Sequence, residues 1–274
     1  MSGPLSGRRI VVPETRELDL FARMLEDRGA EVLRCPMVAI VDAPDPAPID
    51  AWLRRVIAGA CDDLILFTGE GLRRLLGSAR RSGLDQVFVA ALTRLRKITR
   101  GPKPVRALRE IGLDADLAAQ PPTTEGVIAT LAALDLRGRR VGVQLYPDST
   151  HDALLGFLQA AGAAADPVLP YAYVAAADDR QVIGIIDRMA DGEVDAIAFT
   201  STPQVRRLYK VAVAAGYEAR LGAALLRTKV ASVGPVVGDE LRRIGARVDI
   251  ATDGSYFMKP LVNEIVARLG QATT

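Results

Sequence analysis

The sequence predicts an α/β protein made of two similar, doubly wound parallel-sheet lobes. Short apolar runs rich in β-branched residues alternate along it with longer stretches of helical period, the pattern of parallel strand-helix units. The alternation is written twice, with an offset of 131 to 133 residues between matching segments. The chain also has 274 residues, and a prior of roughly 150 residues per domain divides it in two.

Arg9 to Pro13 (RIVVP) reads as a strand, because consecutive β-branched residues fit a pleated surface. Leu18 to Arg28 places Leu18, Phe21, Ala22 and Leu25 on one face of a helix, and Gly29 stops it. Glu31 to Pro36 is a second strand. Val38 to Pro48 carries three prolines, which remove amide donors and fix φ, so a crossing or linker segment is expected. Asp63 to Thr68 (DLILFT) is a strand that leads to a helix from Glu70. A short strand around Ile98 precedes a helix from Pro104 to Ile111, ended by Gly112. The rhythm restarts with a strand at Val141 to Leu145 and a helix capped by Ser149 or Thr150, with His151 in its first turn. Pro167 to Tyr173 is the strand leading out of this unit.

Gly138-Arg-Arg-Val-Gly-Val echoes Gly7-Arg-Arg-Ile-Val-Val, and Gly162-Ala163 echoes Gly29-Ala30. Leu66-Phe67-Thr68 returns as Ala198-Phe199-Thr200, Gly101-Pro102 as Gly234-Pro235, and Ile111-Gly112 as Ile244-Gly245. Matches in one order at so long a period mark a domain duplication, not a solenoid. A duplicated α/β unit is expected to hold its ligand in the cleft between the halves, beyond the carboxyl ends of the strands.

Composition narrows the chemistry. The chain has 35 Lys and Arg against 33 Asp and Glu, and a net charge of +2 is too small for a duplex-binding surface. Aromatic residues are 5% of the chain, too few for rows of base-stacking platforms, so nucleic acid is not an expected partner. No apolar run approaches the roughly 20 residues that span a bilayer, and no membrane association is expected. There is one histidine, His151, and two cysteines, Cys35 and Cys61. A Cys/His metal site or a His-based triad needs more, so no metal is expected. The unspaced cysteines read as buried free thiols of a reducing compartment, the cytoplasm. No G-x-G-x-x-G follows the first strand and no P-loop occurs, so no nucleotide cofactor is expected.

What remains is mostly backbone. Phe67-Thr68-Gly69-Glu70-Gly71 and Phe199-Thr200-Ser201-Thr202-Pro203 each run from a strand into a helix, the second with Thr202 as expected N-cap and Pro203 as first helical residue. Arg100-Gly101-Pro102-Lys103 and Val233-Gly234-Pro235-Val236 do the same one unit later, and Tyr146-Pro147-Asp148-Ser149-Thr150 follows the strand at Val141. Helix starts present unpaired N–H groups and a positive dipole end, so several of them suit a ligand with many carboxylates or phosphates. Such turns also occur where no anion binds. Arg94 to Arg109 holds seven basic residues and no acid; it is either a solvated surface or, through Arg100 and Lys103, a positive wall that orients a polyanion. Tyr171 and Tyr173 share one face of their strand, either as packed core residues or as proton donors in a chain with almost no histidine.

In their order, GRRIVVPETRELDLFARMLEDRGAEVLRCPMVAI, DLILFTGEGLRRLL, DAIAFTSTPQVRRLY, KVASVGPVVGDELRRIGARVDIAT and YFMKPLVNEIVARL resemble the uroporphyrinogen-III synthase family over nearly all of the chain. The resemblance implies two flavodoxin-like lobes joined by a two-stranded linker. One lobe is discontinuous, residues 1–37 with 174–274, and the other is inserted at 40–170. It also implies a monomeric lyase without a cofactor. Its substrate would be hydroxymethylbilane, a linear tetrapyrrole polycarboxylate that loses its hydroxyl and closes to a macrocycle with the last ring inverted, in heme or siroheme biosynthesis. Such a substrate is intrinsically reactive, so the protein mainly holds it, excludes water and fixes which carbon attacks. The family's tyrosine, which assists hydroxyl loss, falls on Tyr171. Substrate contacts are expected at Thr68, Gly69, Arg100, Gly101, Lys103, Ser149, Thr200, Ser201, Thr202, Gly234, Pro235 and Val236. The alternative is a protein of the same fold that binds a tetrapyrrole or another polycarboxylate as a sensor or accessory, without turnover. A sugar-nucleotide transferase, a third class, lacks its nucleotide motif.

Overall fold

In the computed structural model, which describes residues 3–270, strands and helices alternate along the chain. β1 (Arg9–Val12), α1 (Leu18–Glu26) and β2 (Glu31–Arg34) form an opening unit, and Gly29, at φ +91°, makes the reversal that a side chain would strain. β3 (Val38–Asp42) and α2 (Ala47–Ile57) lead to β4 (Asp63–Leu66), the helix pair α3 (Gly69–Arg81) and α4 (Asp85–Leu92), and β5 (Arg96–Thr99). α5 (Pro102–Arg109), β6 (Leu117–Ala118) and α6 (Thr124–Ala132) complete this stretch. β7 (Arg140–Gln144), α7 (Asp152–Ala160) and β8 (Ala164–Val168) repeat the opening unit, followed by β9 (Tyr171–Ala175). The last third holds α8 (Asp179–Ala190), β10 (Ala196–Phe199), α9 (Thr202–Ala214), α10 (Glu218–Arg227), β11 (Lys229–Ser232), α11 (Pro235–Arg243), β12 (Ile250–Ala251) and α12 (Met258–Leu269).

Two parallel five-stranded sheets result, in the orders β12-β11-β10-β1-β2 and β6-β5-β4-β7-β8, while β3 pairs with β9. β4, β5 and β6 begin at Asp63, Arg96 and Leu117, and β10, β11 and β12 begin at Ala196, Lys229 and Ile250, each 133 residues later. The repeat in the sequence is thus a repeat of strand order. Each sheet combines three strands of one copy with the opening two strands of the other. The chain divides into an inserted unit, Ile40–Tyr173, and a terminal unit, Met1–Ala39 with Val174–Thr274; both boundaries fall inside β3 and β9.

Helices cover both faces of each sheet, so the central strands are buried throughout and read as continuous apolar runs. In the inserted unit, alternate residues of β4 and its extension serve opposite faces. Leu64 and Leu66 pack with Trp52, Leu53, Leu72 and Phe88 on one side, and Ile65 and Phe67 with Ile98, Val143, Leu154 and Leu158 on the other. At the amino end of β4, the fully buried Asp63 is held by Arg96 at 2.6 Å and Arg139 at 2.5 Å. In the terminal unit one continuous core runs from Ile10 and Val11 through Ile197 and Val230 to Leu261 and Ile265. No helix among the described residues is long and apolar enough to cross a membrane.

Several local expectations are corrected. α7 begins at Asp152 with His151 as its N-cap residue, so neither Ser149 nor Thr150 caps it. The His151 ring is instead packed against Tyr146 and Phe67, with Nε2 2.9 Å from the Tyr146 carbonyl oxygen. α9 is capped by Ser201 and not Thr202, because Gln204 reaches back to accept from the Ser201 N–H at 3.3 Å; Pro203 then follows Thr202 inside the first turn. Val38 to Pro48 is not one linker: it holds β3 and then the start of α2, where Pro48 is tolerated because a first-turn amide has no helical partner anyway. Pro167 to Tyr173 is likewise split, since Pro167 pairs with Val143 in the edge strand β8 and a new strand starts at Tyr171. α5 starts at Pro102, two residues before the expected position. Cys35 and Cys61 are buried free thiols.

Candidate functional site

The direction of chain order in each sheet reverses at one place: between β4 and β7 in the inserted unit, and between β1 and β10 in the terminal unit. Open α/β sheets bind ligands beyond the carboxyl ends of the strands at such reversals.

In the inserted unit, β4 runs through Phe67 into Thr68, whose extended backbone makes it the N-cap of α3 and whose Oγ1 accepts from the Gly71 N–H at 2.9 Å. The Thr68 N–H donates to Oε1 of Gln144, the last residue of β7, at 3.0 Å. Tyr171, only 1% exposed at the start of β9, sets its hydroxyl 3.2 Å from Thr68 Oγ1. The Tyr173 ring meets it edge-on, with centroids 5.7 Å apart. Burial pushes the Tyr171 phenol above the ordinary tyrosine range, opposed by hydrogen bonds with Thr68 and Tyr173 and by the Arg100 charge. Burial and the neighbouring Tyr171 also push Tyr173 upward. Both phenols therefore stay protonated at neutral pH and can donate.

Arg100, at the end of β5, lies with Cζ 4.7 Å over the Tyr146 ring and 5.4 Å over that of Phe67, a cation held on two aromatic faces. Ser149 Oγ is 3.3 Å from the Tyr146 hydroxyl. Gly69 and Gly101 are close approaches: a β-carbon would meet the Lys103 carbonyl oxygen at 2.6 Å and Pro122 at 2.8 Å, respectively. Thr68, Gly69, Arg100, Gly101, Lys103, Ser149 and Tyr171 thus belong to the turns and first helical residues after β4, β5 and β7 and to the first residue of β9, all in the inserted unit. The rest of the basic run is largely neutralised. Arg96 pairs with Asp63, Lys97 with Asp116 at 2.8 Å, Arg106 with Glu110 at 3.9 Å and Arg109 with Asp114 at 3.1 Å.

In the terminal unit, the Glu14 carboxylate stands just beyond β1. It accepts from the backbone N–H groups of Thr15 and Arg16 at 3.1 and 3.2 Å, from Gln204 Nε2 at 3.1 Å, and from the Thr200 hydroxyl. Burial works to raise this carboxyl, but the Thr200 and Thr15 hydrogen bonds, the Arg16 charge and Gln204 outweigh it and hold the pKa below the usual glutamate value. Thr200 lies 132 residues after Thr68. Its N–H is likewise held by a glutamine oxygen, Gln204 Oε1 at 2.9 Å, supplied here by the following helix and not by a neighbouring strand. Ser201 and Thr202 open α9, and Gly234, Pro235 and Val236 open α11; Gly234 and Pro235 line a cavity of about 240 Å³ with Ser232, Thr252 and Tyr256. Among the described residues, no three His, Cys, Asp or Glu side chains form a group that could hold a metal ion.

The sequence did not single out Gln144 or Gln204. Signals were present for both glutamines: β7 reads RVGVQ, and a glutamine closing an apolar strand needs a buried partner, while Ser201-Thr-Pro-Gln204 has the spacing of a capping box.

Comparison with known proteins identifies the lineage. Residues 19–262 match the family model described as Uroporphyrinogen-III synthase HemD. The chain belongs to the uroporphyrinogen-III synthase family. It is 29% identical over 246 residues to YjjA of Bacillus subtilis, an uncharacterized protein, covering 89% of this chain and 90% of that one. It is 26% identical over 257 residues to a putative uroporphyrinogen-III synthase of Methanothermobacter thermautotrophicus, covering 90% and 93%. The crystal structure of a mutant uroporphyrinogen III synthase from the extremely thermophilic bacterium Thermus thermophilus superposes with a TM-score of 0.76 at 26% identity, covering 96% of this chain and 99% of that one. The resemblance read from the sequence is therefore correct at the level of family and of the two-sheet α/β fold.

Proposed function

We propose that this protein is a uroporphyrinogen-III synthase, a lyase that cyclises hydroxymethylbilane with inversion of its last ring. The observation that carries this reading is the Tyr171–Thr68 hydroxyl pair at the carboxyl end of β4, in a chain of this family. Departure of the bilane hydroxyl needs a hydrogen-bond donor, and a buried phenol kept protonated can donate at neutral pH. Tyr171 is the donor, Thr68 orients its hydroxyl, and Gln144 holds Thr68. Arg100, Lys103, Ser149 and the helix starts at Gly69 and Gly101 receive substrate carboxylates, as does the Gly234-Pro235-Val236 turn of the terminal unit. The reaction is a dehydration with ring closure and no net redox change, so its balance calls for no cofactor.

The test is to supply the bilane and separate the type III product from the type I isomer that forms spontaneously. Type III product is expected, and type I alone would overturn the proposal. A second reading, tetrapyrrole binding without turnover, is favoured by the near-complete burial of Tyr171. It predicts saturable binding of the tetrapyrrole with type I product only.

A further inference from the structure

The two strand-order reversals have the same topology and opposite charge. In the inserted unit the threonine N–H after β4 is held by the neutral Gln144, with the Arg100 guanidinium on the adjoining loop. In the terminal unit the corresponding threonine, Thr200, gives its hydroxyl to the Glu14 carboxylate, which also takes two backbone N–H groups and one amide N–H. Four donors converge on one carboxylate at the start of α9, where the helix dipole also favours an anion. The arrangement is what a bound carboxylate would receive, and the chain supplies that carboxylate itself.

We infer that Glu14 is a specificity-determining residue: it fills the anion position at the β1/β10 reversal and closes it to ligand carboxylates, so that this turn faces an uncharged or N–H-bearing part of the substrate. The inference rests on the proposed polycarboxylate substrate and refines where its charges go. An entering carboxylate would have to displace Glu14 from Thr200 and Gln204 or lie beside a fixed like charge, and both weaken binding. The pyrrolic N–H groups of a tetrapyrrole meet the opposite situation, because Glu14 is an acceptor.

The experiment compares the parent chain with Glu14→Gln, which keeps the side-chain shape and removes the charge. Uroporphyrin I, with eight carboxylates, and coproporphyrin I, with four, are titrated at low ionic strength by quenching of Trp52 fluorescence. Glu14→Gln should bind uroporphyrin roughly 10-fold more tightly, a like-charge repulsion discounted for solvent, and the gain should shrink in high salt. Coproporphyrin should gain less. Equal or weaker uroporphyrin binding by Glu14→Gln overturns the inference, as does failure of every chain to bind it. Should Glu14→Gln lose the parent's circular dichroism spectrum, Glu14→Ala is judged by the same outcomes. Product analysis with the bilane is separate: absence of type III isomer defeats the proposed reaction, while a tighter Glu14→Gln complex would still uphold the role of Glu14.

Discussion

Gly71 and Gln144 occupy one space: a β-carbon on Gly71 would stand 2.0 Å from both Cδ and Nε2 of the Gln144 side chain. The first turn of α3 and the last residue of β7 are thereby fixed against each other, and Thr68 is held between them for its contact with Tyr171.

Gly71→Ala should therefore destabilise the protein by about 1–3 kcal/mol in urea denaturation, as overpacking does. Gly156, Gly184 and Gly222 lie in helices with nothing within 4 Å of the added carbon, and their Ala variants should each gain about 0.5–1 kcal/mol. If Gly71→Ala is as stable as these three, Gln144 swings aside freely and does not position Thr68.

Tyr171→Phe keeps the ring and removes the hydroxyl. Formation of type III product should slow by roughly 10- to 1,000-fold with the fold intact, the range for loss of one donor or of general acid assistance. Tyr173→Phe removes only a hydrogen bond to Tyr171 and should slow the reaction less. An unchanged rate for Tyr171→Phe would make that tyrosine a packing residue.

Replacing Arg100 and Lys103 together with Ala should weaken uroporphyrin binding at low ionic strength and flatten its dependence on salt. The two changes differ in stability. Arg100 rests on Phe67 and Tyr146, so Arg100→Ala should cost about 0.5–1 kcal/mol, whereas the exposed Lys103 should cost little. Titrations at two ionic strengths check the first statement, and identical low-salt affinities would return both residues to the solvated surface.

Burial pushes the Cys35 and Cys61 thiols up to about 11 from the ordinary 9.0. Because the folded values lie above the unfolded ones, the stability linked to the neutral thiols is complete below pH 9 and is lost as pH rises toward 11. Melting temperature should fall across that window. At a pH of about 8 iodoacetamide should modify both cysteines slowly in the native protein and rapidly in urea. Labelling of the folded chain at the rate of an exposed thiol would contradict the burial that causes the shift.

The alternation of strands and helices and the repeat were legible in the sequence, because periodicity, turn glycines and prolines act within a few residues of themselves. So were the strand-to-helix turns at Thr68, Thr200 and Gly234, whose positions follow from where an apolar run stops. The distant partners of those turns, Gln144, Tyr171 and Glu14, were decided only by tertiary structure. Thr68 is held by a glutamine from β7, 76 residues away, and Thr200 by a glutamine four residues on, in the helix that follows it, and a glutamate 186 residues away. One of the two is local, because Ser201 and Gln204 have the spacing of a capping box, whereas Gln144 reaches Thr68 only through the pairing of β4 with β7. Likewise the basic run from Arg94 to Arg109 does not reveal that Arg96 and Lys97 are consumed by ion pairs while Arg100 rests on aromatic rings. A hydrogen bond between the ends of two strands depends on their register and order in the sheet, and hydrophobic period specifies which face of a strand is buried without specifying which strand lies beside it.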